Sequence, residues 1–234
     1  MEQLRVDFIN SQPGTLKDYD CPICKNRGYT AELQGDRMIF VECDCTNRRK
    51  ALRRMSESGL KPILELYRMD NFKTDRKWQL EAKSKALKFI ENGKGWFVIA
   101  GNPGTGKTHL CTAICGRFLE QGRFVRYMVW REEAPKLKAS VTDRDVYEKA
   151  MKEFKQADVL YIDDFWKGNV TEADINLSFE LLNSRYNDQS KITIISGEKD
   201  VEQMLSIDEA IGSRIYERSK GFLIKTPNEN YRLR

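Results

Sequence analysis

Trp96-Phe97-Val98-Ile99-Ala100-Gly101-Asn102-Pro103-Gly104-Thr105-Gly106-Lys107-Thr108 joins a short apolar run to a full match of the phosphate-binding pattern G-x-x-x-x-G-K-[ST]. Each fixed position has a physical task. Gly101 and Gly106 allow backbone geometry that bulkier residues resist, so the loop N–H groups can turn inward around phosphate oxygens. Lys107 can reach the β- and γ-phosphates, and the Thr108 hydroxyl can ligate magnesium. The run 96–100 reads as a buried strand. Beyond the loop, Leu110, Ala113, Ile114 and Phe118 recur at helical spacing across 109–119. Strand, loop, helix is the order this chemistry needs, because a helix N-terminus adds partial positive charge beneath the phosphates. The expected nucleotide-binding set is therefore Gly101, Asn102, Pro103, Gly104, Thr105, Gly106, Lys107, Thr108 and the adjoining His109.

A second apolar run, Val159-Leu160-Tyr161-Ile162, ends in Asp163 and Asp164 about fifty residues after the loop. It reads as a Walker B strand: Asp163 holds magnesium, directly or through water, and Asp164 polarises the attacking water. Residues 191–196 form another strand with a polar tip, and Ser196 is the candidate contact near the γ-phosphate. Residues 211–218 read as a helix with Arg214 and Arg218 one turn apart. Either arginine can stabilise a transferring phosphate in a neighbouring subunit or simply make surface salt bridges.

The composition sets the frame. The 234 residues, 40% hydrophobic and 32% charged, suit one domain of ordinary size plus a small appendage. No run approaches the ~20 apolar residues of a membrane span, and the N-terminus lacks a signal peptide's apolar stretch. A cytoplasmic protein without membrane contact is expected. The net charge of +5 is modest, but Arg48, Arg49, Lys50, Arg53 and Arg54 cluster on a helix expected over 46–60. That cluster reads equally as a solvated face or as a contact for nucleic acid or an acidic partner. The helix expected over 78–89 places Leu80, Ala86, Leu87 and Phe89 inward, and the polar segment 70–75 reads as a linker.

Four of the six cysteines lie early. Cys21-Pro22-Ile23-Cys24 is followed by Cys43-Asp44-Cys45, and the eighteen residues between the pairs read as a small hairpin about Gln34-Gly35-Asp36, as in a zinc ribbon. Thiolates in two tight turns can close one tetrahedral shell, which points to structural zinc; reduced free thiols are the other reading.

In this order, the cysteine ribbon, the Gly-Asn-Pro-Gly-Thr-Gly-Lys-Thr-His-Leu loop, Tyr161-Ile162-Asp163-Asp164-Phe165, Gly212-Ser213-Arg214-Ile215-Tyr216-Glu217-Arg218 and the ending Tyr231-Arg232-Leu233-Arg234 resemble the bacterial and phage DnaC/DnaI helicase loaders, AAA+ ATPases related to the initiator DnaA. The resemblance implies an α/β fold whose P-loop core is a five-stranded parallel sheet of order 5-1-4-3-2. It also implies that the helical lid is lacking and that a small zinc-ribbon segment precedes the core. Residues 1–60 would then be the zinc-binding segment with the basic helix, and 61–234 the ATPase domain. Arg218 would be the arginine finger, with Arg214 second, and the protein would form a homo-oligomer through its ATP interfaces. A DnaB-type replicative helicase would be the partner of the zinc segment. Single-stranded DNA would meet helices between the second strand, expected over 124–130, and Walker B, with Lys136, Lys138 and Arg144 as phosphate contacts. Two features depart from the loader pattern: Ser196 is followed by Gly197 rather than Asn, and Walker B ends Asp-Asp rather than Asp-Glu. The alternative readings are an IstB-type transposition accessory ATPase, which shares the same core, and an ATP-regulated DNA-binding protein.

Overall fold

The structure, a computed structural model, describes residues 2–17, 20–35, 37–46, 49–50, 53, 56 and 59–227. It divides into two compact units, residues 1–54 and 55–234, so the division falls earlier in the chain than the expected 60/61.

The first unit opens with α1 (Glu2–Ser11), an element the sequence reading did not anticipate. Its hydrophobic pattern is weak, and long-range polar contacts hold it instead. The Asn10 amide donates to Ala31 O and accepts from Ala31 N, at 2.8 and 3.0 Å. The Arg27 guanidinium caps the end of the helix, donating to Ile9 O in its last turn and to Gln12 O just beyond it. Strands β1 (Tyr29–Gln34) and β2 (Arg37–Glu42) form the expected antiparallel hairpin, in register from Tyr29↔Glu42 to Gln34↔Arg37. The helix expected over 46–60 falls largely outside the described residues, as does the ending Tyr231–Arg234.

The second unit is a doubly covered parallel sheet. After a short turn of helix, α2 (Lys61–Leu64), come α3 (Lys77–Asn92), β3 (Trp96–Ala100), α4 (Lys107–Glu120), β4 (Val125–Val129), α5 (Trp130–Ala139) and α6 (Arg144–Gln156). The chain continues through β5 (Val159–Phe165), α7 (Glu172–Asn187), β6 (Ile192–Gly197), α8 (Val201–Ile207), α9 (Glu209–Arg218) and β7 (Leu223–Lys225). The sheet order is β4-β5-β6-β3-β7 with every pairing parallel, which is the expected 5-1-4-3-2 read from the other edge. Every residue of β3 and β6 is buried, as a sheet covered on both faces requires. Alternation divides them: Phe97 and Ile99 pack with Phe89, Leu110, Ile114 and Phe118 on one face. Trp96 and Val98 pack with Met128, Leu160, Leu181 and Ile215 on the other. Trp130 does not close β4; it opens α5.

The inward face of α3 differs from expectation. Gln79, Ala82, Ala86, Phe89 and Ile90 are buried, whereas Leu80 is 59% exposed and Leu87 38%. Residues 79, 82, 86 and 89 follow the three-and-four spacing of one helix stripe, and Leu80 and Leu87 lie roughly 100° to one side of it. The helix stops where expected, with Gly93 in the left-handed region (φ 62°) and its N–H bonded to Phe89 O at 3.0 Å.

Candidate ATP-hydrolysis site

The phosphate loop joins the tip of β3 to the first turn of α4. Gly101 has φ 138°, and a Cβ there would lie 2.1 Å from Thr226 Oγ1, so no larger residue fits. Lys107 folds over the loop and donates from Nζ to the carbonyls of Gly101 and Asn102, both at 2.7 Å. Burial lowers its pKa, opposed by the charges of Glu198, Asp164 and Asp163. The N-terminal amides of α4 have no partners inside the helix and face this loop, which makes the loop an anion cradle.

Asp163 is the hub beside it. It is 8% exposed, and its Oδ1 accepts from Thr108 Oγ1 at 3.4 Å, from the Asp164 N–H at 3.0 Å and from Ser196 Oγ. Its Oδ2 accepts from the Tyr127 hydroxyl at 3.1 Å. Burial and the Asp163 charge push the Tyr127 phenol up, so it donates as a neutral hydroxyl. Ser196 also bonds Tyr161 OH at 3.0 Å, so the β6 tip is tied directly to the Walker B acid. Two oxygen ligands on adjacent corners of an octahedral magnesium lie about 2.9 Å apart. The Thr108 and Asp163 oxygens, at 3.4 Å, fit that donor pair.

Asp164 sits differently. A register shift between β5 and β6 over Ile162–Phe165 and a positive φ of 54° at Asp164 re-aim the strand end. Both Asp164 carboxylate oxygens accept from Lys167 Nζ at 3.2 Å. His109 turns away from the loop: its Nε2 meets Arg68 O and Asn71 Oδ1, each at 3.0 Å. Its ring stacks on Tyr67 and meets Phe72 edge-on. The segment expected as a bare linker is therefore packed, with Phe72 6% exposed and its ring 3.5 Å from where a Gly106 Cβ would stand.

The two arginines of α9 part ways. Arg214 is held within its own unit, by Asn183 Oδ1 at 3.1 Å and over the rings of Phe179 and Tyr186. Arg218 makes a long contact, 3.4 Å from Nη2 to Gln189 O, and its Nε has no hydrogen-bond partner among the described residues. The three residues expected to meet DNA each face an acid: Lys136 faces Glu133, Lys138 faces the nearly buried Asp174, and Arg144 faces Glu148. Of the basic cluster, Arg48 and Arg54 lie outside the described residues. Arg49 bonds Lys17 O and Asn26 Oδ1, and Lys50 pairs with Glu42.

In the first unit the sulfurs of Cys21, Cys24, Cys43 and Cys45 all lie within 4.8 Å of one another and are buried. Cys21–Cys43 is 3.8 Å and Cys24–Cys45 3.4 Å, against about 3.8 Å between ligands in a tetrahedral zinc–thiolate shell. The Gly28 N–H donates to Cys24 Sγ at 3.3 Å. Burial acts to raise the Cys24 thiol, but that N–H and the neighbouring sulfurs outweigh it and bring it to about 6. Burial and Cys24 push Cys45 up to about 12. Once Cys24 ionises, it opposes ionisation of Cys43 and Cys45, and a divalent cation at their centre removes that conflict. Donor chemistry and spacing both fit zinc.

A phosphate loop, a Walker B acid bonded to the polar tip of the neighbouring strand, and a parallel sheet of order 5-1-4-3-2 together define an AAA+ ATPase core. The family model described as IstB-like ATP binding protein matches residues 31–234, and the chain belongs to that family. This AAA+ family binds and hydrolyses ATP. The chain is 29% identical over 236 residues to the phage-like element PBSX protein XkdC of Bacillus subtilis, covering 92% of this chain and 85% of that protein. It is 23% identical over 175 residues to the replicative helicase loader DnaC of Escherichia coli, covering 73% of this chain and 70% of that one. It is also 31% identical over 153 residues to an ATP-binding protein of insertion sequence IS21 from Pseudomonas aeruginosa, covering 63% of this chain and 56% of that one. Among solved structures, the DnaC helicase loader superposes with a TM-score of 0.60 at 23% identity, over 70% of this chain and 98% of that chain. DnaA from Aquifex aeolicus gives 0.59 at 22% identity over 70% of this chain, which spans about half (51%) of that initiator.

Sequence reasoning missed Tyr127, Lys167, Glu198 and the ring cluster about His109. For Tyr127 a signal existed in strand parity. With β4 beside β5, Tyr127 lies opposite Tyr161 and Val129 opposite Asp163, which places Tyr127 on the Asp163 face. That adjacency itself is not local in the sequence.

Proposed function

We propose that this protein is an ATP-dependent helicase loader that delivers a replicative DnaB-type helicase onto single-stranded DNA in the cytoplasm. The observation that carries this reading is the four-thiol unit at residues 21–45 ahead of a DnaC-like ATPase core. Zinc closes that unit and the unit grips the helicase. ATP, held with magnesium by Lys107, Thr108 and Asp163, orders a homo-oligomer around the strand. Asp164 polarises the attacking water, Ser196 links the γ-phosphate site to Asp163, and Arg218 reaches the neighbour's nucleotide. The internal partners of Arg214 favour Arg218 for that role. Asp164 is one methylene shorter than the usual glutamate, which suits slow, DNA-stimulated turnover in a switch. Lys136, Lys138 and Arg144 would each exchange an acidic partner for a DNA phosphate, and the salt dependence of binding would report that exchange.

Pull-down with the cognate replicative helicase, with and without ATP, tests the reading. Capture of the helicase supports it. Capture of a transposase instead would favour the second reading, an IS21-type transposition ATPase, to which the family match also points. Metal analysis should find about one zinc per chain; none, together with four titratable thiols between 21 and 45, would show that the cysteines hold no zinc.

A further inference from the structure

The reading of Asp164 as the water-polarising acid leaves one cation without a role. Lys167 Nζ lies 3.2 Å from each Asp164 oxygen and 3.3 Å from Glu198 Oε1. An ammonium equidistant from both carboxylate oxygens sits on the bisector of the group. There it covers the lone pair of each oxygen that faces the other and neutralises the charge. A water bound on that face of the carboxylate would have to displace it, and one bound elsewhere would meet a carboxylate whose charge is already neutralised.

This lysine is aimed by its backbone. Asp164 and Trp166 both adopt positive φ, 54° and 52°, a conformation that non-glycine residues hold only where surrounding structure imposes it. The turn closes with the Lys167 N–H on Asp164 O at 3.1 Å. The Trp166 ring pins it: it is 1% exposed, donates from Nε1 to Ser178 Oγ at 2.7 Å and stacks on Phe165 with centroids 4.8 Å apart. Lys199 Nζ staples the same turn, donating to Trp166 O and Gly168 O at 2.8 Å each. Burial opposes the Lys167 charge, yet the two carboxylates hold its pKa above the ordinary value, so it stays an ammonium at neutral pH. Glu198 directly follows β6, next to the strand tip that carries Ser196. Asp164, Glu198 and Lys167 all act electrostatically on Lys107, so charge that accumulates beside Lys107 is felt by the Lys167 pairs.

We propose that Lys167 is a positioning residue that acts as a brake on hydrolysis: bridging Asp164 and Glu198 it neutralises the Asp164 carboxylate, and its withdrawal onto Glu198 alone releases that carboxylate to water. The inference rests on Asp164 polarising the attacking water, and the two ideas fail separately. Steady-state hydrolysis by the full chain at saturating Mg-ATP, and affinity for a fluorescent ATP analogue, are measured for the single variants below and the wild type. Asp164→Asn should bind ATP and not hydrolyse it; retained turnover there would overturn the role of Asp164 and the brake with it. Given an inactive Asp164→Asn, Lys167→Met should raise kcat about tenfold with the analogue's Kd unchanged to about twofold. Lys167→Arg, which restores the cation, should return kcat toward the wild-type value. Glu198→Gln removes the competing negative charge and should lower kcat, opposite in sign to Lys167→Met. A purely structural Lys167–Glu198 pair would make both variants slower. Unchanged or reduced kcat in Lys167→Met, or faster turnover in Glu198→Gln, would overturn the brake. The glutamate variant carries the test if the methionine variant fails to fold.

Discussion

Lys107→Ala will bind ATP roughly a hundredfold or more weakly than the wild type and will not hydrolyse it at ordinary ATP concentrations. Lys107 is 7% exposed and, among the described residues, bonds the Gly101 and Asn102 carbonyls of its own loop. Its ammonium needs only to swing from those carbonyls to reach the β- and γ-phosphates. Each charge-assisted bond lost in a partly desolvated cradle costs about 1.5–3 kcal/mol, so two lost bonds give about 3 kcal/mol or more. The carbonyls it leaves are reachable by water, because Asn102 is exposed and Gly101 half-buried, so the melting temperature should change little. Titration calorimetry with ATP and magnesium reads the first effect and thermal unfolding the second. Unchanged affinity would remove the phosphate loop from the site.

Arg185→Met should cost about 4 kcal/mol of stability, a large share of the ~5–15 kcal/mol available to a domain. Arg185 is 0% exposed and, among the described residues, bonds carbonyls and a hydroxyl rather than a carboxylate. Its Nη1 donates to Phe154 O, Lys155 O and Ala157 O, its Nη2 to Ile192 O, and its Nε to Thr193 Oγ1. One planar fork thus caps the end of α6, where a cation also meets the negative end of the helix dipole, and ties it to the start of β6. Burial brings the guanidinium down to about 9, opposed by the charges of Asp188 and Asp158, which leaves it charged at pH 7. Methionine fills part of the volume and leaves these acceptors buried without donors. Urea unfolding should show the loss as a lower midpoint at unchanged slope. Arg185→Lys, whose ammonium cannot match the planar fork, should fall between the two. A methionine variant within about 0.5 kcal/mol of wild type would show that Arg185 is dispensable.

The strands carrying the site were readable because they are buried on both faces: a continuous apolar run such as 96–100 or 159–162, set beside a glycine loop or paired acids, fits the middle of a parallel sheet and little else. The cysteine pairs were readable because metal chemistry demands close spacing, and their four sulfurs do converge. Helix α3 was less legible. Leu80 and Leu87 look like core residues by type, yet Gln79 takes a buried place because its side chain accepts from the Arg76 N–H at 3.0 Å in the helix's capping box. His109 looked like part of the phosphate loop by adjacency alone; one helical step turned it toward Tyr67 and Phe72.

The sequence by itself determined the local chemistry: the loop that cradles phosphate, the acids at the strand end, the two cysteine turns and the alternation that buries the sheet. Those properties depend on backbone geometry and spacing over about ten residues. Only the tertiary structure decided which charge meets which. It set Tyr127 and Ser196 on Asp163, Lys138 on Asp174, the Arg185 fork on carbonyls of two elements, and Lys167 across Asp164 and Glu198. A polar side chain's partner is set by strand order and a few backbone angles, and an error of one helical step or one register position replaces it with another. The phosphate loop therefore identifies the chemistry, while the partners of Asp163 and Asp164 come from strand order and backbone geometry.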